Sequence, residues 1–296
     1  MKKFFSSTPG AIITISLYAA FWYWFTKSFF MVFCSLLITG VFYATDFTRK
    51  KLQRNPKYIH FKLFPKKLST KQQAIIIQHF SFYSRLKPDL QANFDHRVAC
   101  FLKRYKIVGR QGFFVNEDCK ILIAACYTQL TFGMNTFLSD ALKTVLIYPD
   151  FYYSNITHKE HFGEYNPGMK LVVLSWKNFY EGIKFDTNNY NLGIHEFSHA
   201  ILHSSKKKKA YAQTVAESEF DKGFQKIRIL LSNVNEMNLI IHSEYFRDYA
   251  FTNVDEFISV LLEHFFETPK EFKSKFPELF DIVKNMIHYR EEWFKY

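Results

Sequence analysis

The sequence predicts a mostly helical α+β domain with a small sheet, preceded by an N-terminal transmembrane segment, and three observations carry that expectation. After residue 69 apolar side chains recur mainly at helical spacing. Two short runs, TVLIYP from Thr144 and MKLVVLSW from Met169, are instead rich in Val, Ile and Leu and bounded by Pro or Gly, as strands are. Between Gly10 and Tyr43 the only charged side chain is Lys27.

That first stretch is too long for one upright helix of roughly 20 residues and a little short for two, so a single span and a helical hairpin both stay open. Aromatic residues crowd both sides of Lys27 in FWYWFTKSFF, the pattern of an interfacial belt around a turn, which favours the hairpin. Lys2 and Lys3 precede the stretch, and Arg49, Lys50, Lys51 and Arg54 follow it. The positive-inside bias then expects an inner (cytoplasmic) membrane protein whose large domain faces the cytoplasm. A cleaved signal peptide fits less well, because the apolar region is too long and no small-residue cleavage site follows it.

Three regions are expected: a membrane anchor over residues 1–43, a basic linker over residues 44–68 and a folded domain over residues 69–296. The chain carries a net charge of +12, with much of the excess between Arg49 and Lys71, where attraction to anionic lipid explains it more simply than nucleic acid does. No nucleic-acid partner is expected. Cys34, Cys100, Cys119 and Cys126 show no CxxC spacing and read as thiols of a reducing compartment.

Within the domain, Ser69 and Gln72 have capping-box spacing ahead of AIIIQHFSFYSRL, a helical run ended by Pro88. Helical patterns follow in DLQANFDHRVACFLKRY and NEDCKILIAACYTQLTFG. After the two strand candidates, helices return around residues 191–205, 212–231 and 254–266, and a last one opens at Thr268-Pro269-Lys270-Glu271. No internal repeat is present.

The chemistry concentrates in NLGIHEFSHAILHSS, residues 191–205. His195 and His199 lie four apart, on one helix face, and can offer ring nitrogens to one Zn²⁺ ion. Glu196 then stands beside the metal as a general base. The plain alternative is a helix with two satisfied histidines and a surface glutamate. A catalytic zinc needs a third protein ligand, and RDYAFTNVDEFISVLLEHFFETP supplies two candidates, Glu256 and Glu263, seven residues apart on nearly one face. One can be the ligand and the other an acceptor that orients a ligating histidine; spacing does not choose between them. Asn191 and Gly193 are expected to set the turn into the motif helix.

These residues resemble the Mlc titration factor (MtfA) family of zinc-dependent peptidases. HEFSH is similar to that family's HEFAH, and DEFISVLLEHFFETP to its second motif. DHRVACFL at 95–102, AAC at 124–126, IYPDF at 147–151, Gly168 and Leu174-Ser175-Trp176 extend the likeness across roughly residues 70–285. The resemblance implies a zincin-like fold of gluzincin type with one Zn²⁺ per chain. It implies His195, His199 and Glu256 as ligands, Glu196 as general base, and Tyr249 as donor to the developing oxyanion. By the same analogy the strand Met169–Trp176 is expected at the sheet edge, pairing with an extended peptide.

Two departures stand out. Leu202 falls where the family commonly has Asp, and His203 is an extra histidine one turn beyond His199, read as a helix-end histidine rather than a spare ligand. The lysine run from Lys206 to Lys209 reads as a solvated loop. The expected function is a membrane-anchored zinc metallopeptidase acting on peptide or protein substrates, with aminopeptidase-like activity among the possibilities. The alternative is a zinc-containing module that captures a regulatory protein partner, with little or no catalysis.

Overall fold

The computed structural model describes residues 8–26, 29–54, 65–154, 159–185, 187–207 and 215–295. The chain divides into two compact units, Met1–Tyr58 and Ile59–Tyr296.

The first unit contains α1 (Thr8–Thr26) and α2 (Phe29–Arg54), which pack on each other. Here the expected transmembrane segment is corrected: no helix of the described residues is long and apolar enough to cross a membrane. The apolar stretch is divided near Lys27, which itself lies outside the described residues. Its first part interleaves Ile and Leu with Thr, Ser, Tyr and Trp. Its second part does not stop at Tyr43 but runs on as one helix through the basic TRKKLQR.

The second unit begins with α3 (Thr70–His79), α4 (Ser81–Arg85) and α5 (Pro88–Arg104). Ser69 and Gln72 form the full capping box, each side chain bonded to the other's backbone N–H. The run toward Pro88 is broken at Phe80, whose φ of −124° and ψ of 96° are extended; Pro88 starts α5, where its missing N–H costs nothing. Strand β1 (Lys106–Gly109) and α6 (Glu117–Thr131, capped by Asn116) lead to β2 (Thr144–Tyr148). Then come β3 (Tyr152–Ser154), β4 (Lys159–His161), β5 (Gly163–Asn166) and β6 (Leu171–Ser175). Helices α7 (Trp176–Lys184), α8 (Leu192–Lys207), α9 (Val215–Ser232), α10 (Val234–His242), α11 (Val254–Glu267), α12 (Pro269–Lys275) and α13 (Pro277–Met286) complete the order.

The main sheet runs β1-β2-β6-β5, parallel except for the antiparallel β5. This corrects the expected edge strand. β6 is interior, paired with β2 on one side and β5 on the other, and all five of its residues are buried. Val172 and Leu174 face the helices, whereas Leu171 and Val173 join a small cluster with Tyr152 of the β3–β4 ribbon. A run of consecutive aliphatic residues suits a strand covered on both faces; the edge beside it is β5, four partly exposed residues, and β1 is the edge on the far side.

Behind the sheet, α8 packs against α6, α7, α11, β5 and β6. Its Leu192, Ile194, Phe197, Ala200 and Leu202 are buried, so the helix that carries the motif is a core element. Leu202, at the position that departs from the resembled family, simply fills this core. Phe197, between the two motif histidines, is fully buried and meets Phe101 and Tyr127 edge-on, with centroids 6.1 and 5.2 Å away. Phe197→Ala is expected to lower unfolding free energy by about 3–5 kcal/mol in urea denaturation, and Phe197→Leu by clearly less.

Candidate metal centre

Helix α8 is started by Asn191. Its side-chain oxygen accepts from Ile194 N at 3.0 Å, its amide donates to Gly182 O at 3.1 Å, and its backbone N–H donates to Glu263 Oε2 at 2.7 Å. Two positions on, a Cβ at Gly193 would stand 2.6 Å from both Cys126 Sγ and a Phe179 ring carbon, so glycine lets the first turn lie against α6 and α7. Helix α11 is started in the same way by Asn253, whose side chain accepts from Asp255 N and Glu256 N. The two helices approach closely where Ser198 and Ser259 oxygens meet at 2.6 Å.

This packing brings together the nitrogens and oxygen that the motif spacing left to be placed. His199 Nε2 lies 3.3 Å from His195 Nε2, and Glu256 Oε2 lies 2.9 Å from the His195 nitrogen and 3.4 Å from that of His199. Ligands bound tetrahedrally at 2.0–2.1 Å stand about 3.3 Å apart, so this donor set fits one small divalent cation. No other cluster of His, Cys, Asp and Glu among the described residues has such geometry. His203 stays outside it, its ring edge-on to Tyr165 at 5.8 Å.

Glu263 takes the other position. It is fully buried, and its Oε1 lies 2.7 Å from His195 Nδ1. The partners therefore fix the ring's orientation: Nδ1–H donates to Glu263, and Nε2 faces Glu256 and His199. Burial pushes the Glu263 carboxyl upward, but the His195 hydrogen bond and the charges of His195 and Arg247 outweigh it and hold the group ionised. Burial also opposes a charged His195, yet its bonds to Glu256 and Glu263 prevail and raise it to about 10. The reciprocal effect holds Glu256 well below the ordinary carboxylate range against its own desolvation. Glu196 is buried beside them; desolvation raises its pKa, the two histidines lower it, and Glu256 and Glu263 raise it again, with an upward net result.

A cavity of about 270 Å³ opens on His195, Glu196 and Glu263, lined also by Phe162, Gly163, Tyr190 and Tyr249. Tyr249 sits on a short 3-10 turn, Asp248–Thr252, half exposed, with its ring 5.9 Å from that of His195. Burial, then the charges of Glu256 and Glu196, push its phenol up to about 12, so it stays a donor at neutral pH. All six residues singled out from the sequence thus meet at one place.

Sequence reasoning missed Arg247 and Glu267. Arg247 donates to both Glu263 oxygens and to Asn189 O, the last at 2.9 Å, and lies over the Tyr190 ring at 5.1 Å. Asn189 has a left-handed φ of 58° and accepts from the Thr268 hydroxyl at 2.6 Å, tying the loop before α8 to the end of α11. Thr268 thus uses its side chain across the interface and not as the cap of α12 expected of it. Glu267 is buried, with Tyr190 N donating to it at 3.2 Å. Desolvation first and the Glu263 charge second raise it to about 7, against bonds from Asn189, Asn191 and Tyr190. Nothing in the sequence marked Arg247. Glu267 lay within the quoted motif but one turn beyond the residues given roles. Lys206, expected in a solvated loop, belongs to α8 and bonds both Asp255 oxygens at 2.7 and 2.8 Å. Lys208 and Lys209 lie outside the described residues.

A small mixed sheet backed by helices, with a His-His-Glu donor group on two of them, is the build of a metallopeptidase. Residues 50–289 match the family described as glucose-regulated metallo-peptidase M90, and the chain belongs to it. An uncharacterized Synechocystis protein is 25% identical over 247 residues, covering 75% of this chain and 85% of its own. Mlc titration factor A of Escherichia fergusonii is 25% identical over 210 residues (66% and 78%), and that of Cronobacter sakazakii 26% over 193 residues (60% and 71%). The likeness read from HEFSH and the α11 motif is therefore a family relationship.

Two outcomes are expected. Arg247→Gln leaves Glu263 with less to hold it against His195, and metal affinity measured by chelator competition should fall about 10–100-fold. A raised folded pKa means that Glu267 stabilises fully below pH 4.5 and loses this as pH rises through about 7. Glu267→Gln should then be about 1–3 kcal/mol more stable than the wild type at pH 8, by urea denaturation, with the gap closing by pH 4.5.

Proposed function

We propose that this chain is a zinc-dependent metallopeptidase that holds one Zn²⁺ through His195, His199 and Glu256. The convergence of these three donors beside the buried Glu196 carries the reading. When bound, zinc supplies a Lewis acid for the peptide carbonyl and brings the pKa of water down to about 7.

The chain's own residues do the rest. Glu263 and Arg247 fix the ring of His195 so that Nε2 faces the site. Glu196, whose buried carboxyl is more basic than usual, takes a proton from the attacking water and returns it to the departing amine. Tyr249 donates to the oxygen of the former carbonyl as charge builds there. The peptide itself lies along β5. Phe162 O accepts from Ser175 N at 2.6 Å, so in antiparallel alternation the peptide groups of Gly163 and Tyr165 point away from β6 and are open to a substrate strand.

The name Mlc titration factor A, borne by relatives, favours a second reading in which the same domain captures a regulatory protein. One set of variants separates the two. Glu196→Gln should keep one zinc per chain by metal analysis and lower peptide cleavage by about 10²–10⁴-fold. Glu256→Ala should lose the zinc, and Glu263→Ala should keep it with weaker affinity. A Glu196→Gln protein that cleaves as fast as the wild type would remove the peptidase assignment, and unaltered partner capture without any cleavage would favour the binding module.

A further inference from the structure

Gly163 opens β5, and the backbone does not explain why a glycine stands there. Glycine weakens a strand relative to alanine, because it has more freedom to lose and no side chain to pack. Its usual justification is a left-handed φ, yet Gly112 is the described glycine that has one, at 76°. The pairing with β6 also runs without a bulge, from Gly163 opposite Leu174 to Asn166 opposite Leu171.

The explanation lies in what occupies the missing side chain's place. A Cβ on Gly163 would stand 2.5 Å from Glu196 Oε1, 2.8 Å from Glu196 Cδ and 2.7 Å from Leu192 Cδ1. General crowding of this strand face is not the reason. Tyr165, two residues on and therefore on the same face, is accommodated with its ring against His203 and its hydroxyl 3.0 Å from Ala141 O. The tight spot is confined to the position that faces Glu196.

We propose that Gly163 is a positioning residue for Glu196: the absent side chain is the room in which the carboxylate lies, directly against the edge strand. The proposal rests on the reading of Glu196 as the proton acceptor. It places the base and the peptide groups that hold the substrate at one residue, so the proton moves beside the bond that is held. All three nearest atoms lie at the far ends of side chains, so a methyl group at position 163 moves the Glu196 carboxylate and the Leu192 methyl beside it and leaves α8 and β5 in place; with Glu196 cut back to Ala, Leu192 gains the room to give way. The glycine thus lowers strand stability in exchange for a placed base, a compromise seen where function and stability conflict.

The test is a cycle of four full-length proteins: wild type, Gly163→Ala, Glu196→Ala and the double variant. In metal-free thermal melts, Gly163→Ala should raise Tm by about 2 °C or more in the Glu196→Ala background. In the presence of Glu196 it should give no rise or a fall. Equal shifts in both backgrounds would overturn the proposal. All four proteins should take up one zinc per chain. With zinc, Gly163→Ala should lower kcat on a cleaved peptide by about tenfold or more while KM moves by less than about threefold; wild-type kcat in this variant would also overturn it. If the zinc-loaded wild type cleaves no peptide, the peptidase reading fails, and the melting cycle still decides whether Gly163 makes room for Glu196.

Discussion

One buried carboxylate organises the half of this domain that carries the candidate metal centre. Glu263 has no exposure, and its two oxygens receive His195 Nδ1–H, the Asn191 backbone N–H and the Arg247 guanidinium. An ionised group in that position is tolerable only when every lone pair is answered. Each answering donor also acts elsewhere. Asn191 starts α8, His195 faces the donor group, and Arg247 holds Asn189 O in the preceding loop. The angle and register of α8 against α11 are therefore fixed by the same contacts that aim the imidazole. Removing any of them exposes the cost of the charge and loosens the donor set together.

The sequence made part of this legible. A histidine pair at i and i+4 with a glutamate between them states its geometry, because the helix period alone puts both rings on one face. Glu256 and Glu263 could not be told apart in that way, since seven residues are two turns and give both the same face. What separates them is depth. Glu256 sits in the first turn of α11 at the open end, whereas Glu263 lies two turns in, beneath His195. Arg247 gave no signal, because a lone arginine ahead of a tyrosine in a loop reads as surface. Its meaning comes from a partner 16 residues away and a loop 58 residues away.

The sheet shows the same division. β2 and β6 were found because their Val, Ile and Leu residues answer burial. β1 and β5 are short and partly exposed, with the compositions KIVG and GEYN, which carry little strand signature. Assigning the edge to β6 set aside what its own LVVLS implies, a strand covered on both faces. The N-terminal stretch misled for a related reason. Scarcity of charge is not the same as hydropathy, and Tyr, Trp, Thr and Ser within α1 leave it short of what a spanning helix requires.

Charge accounts for how the centre can keep four carboxylates. Without a metal, Glu256 and Glu263 are ionised and are balanced by Arg247 and a protonated His195, while burial holds Glu196 and Glu267 toward their neutral forms. The extra proton on His195 occupies the nitrogen that points at Glu256, so a divalent cation must displace it to bind. Exchanging one positive charge for two leaves one unit over. Glu196 is the nearby group able to supply the matching negative charge, since its carboxyl feels both histidines and both ionised glutamates. A cation held by this donor set would therefore also favour ionisation of Glu196, the carboxyl proposed to accept the proton. Glu267, one turn beyond Glu263 and farther from the donor group, stays the reserve that keeps a further negative charge out of the core.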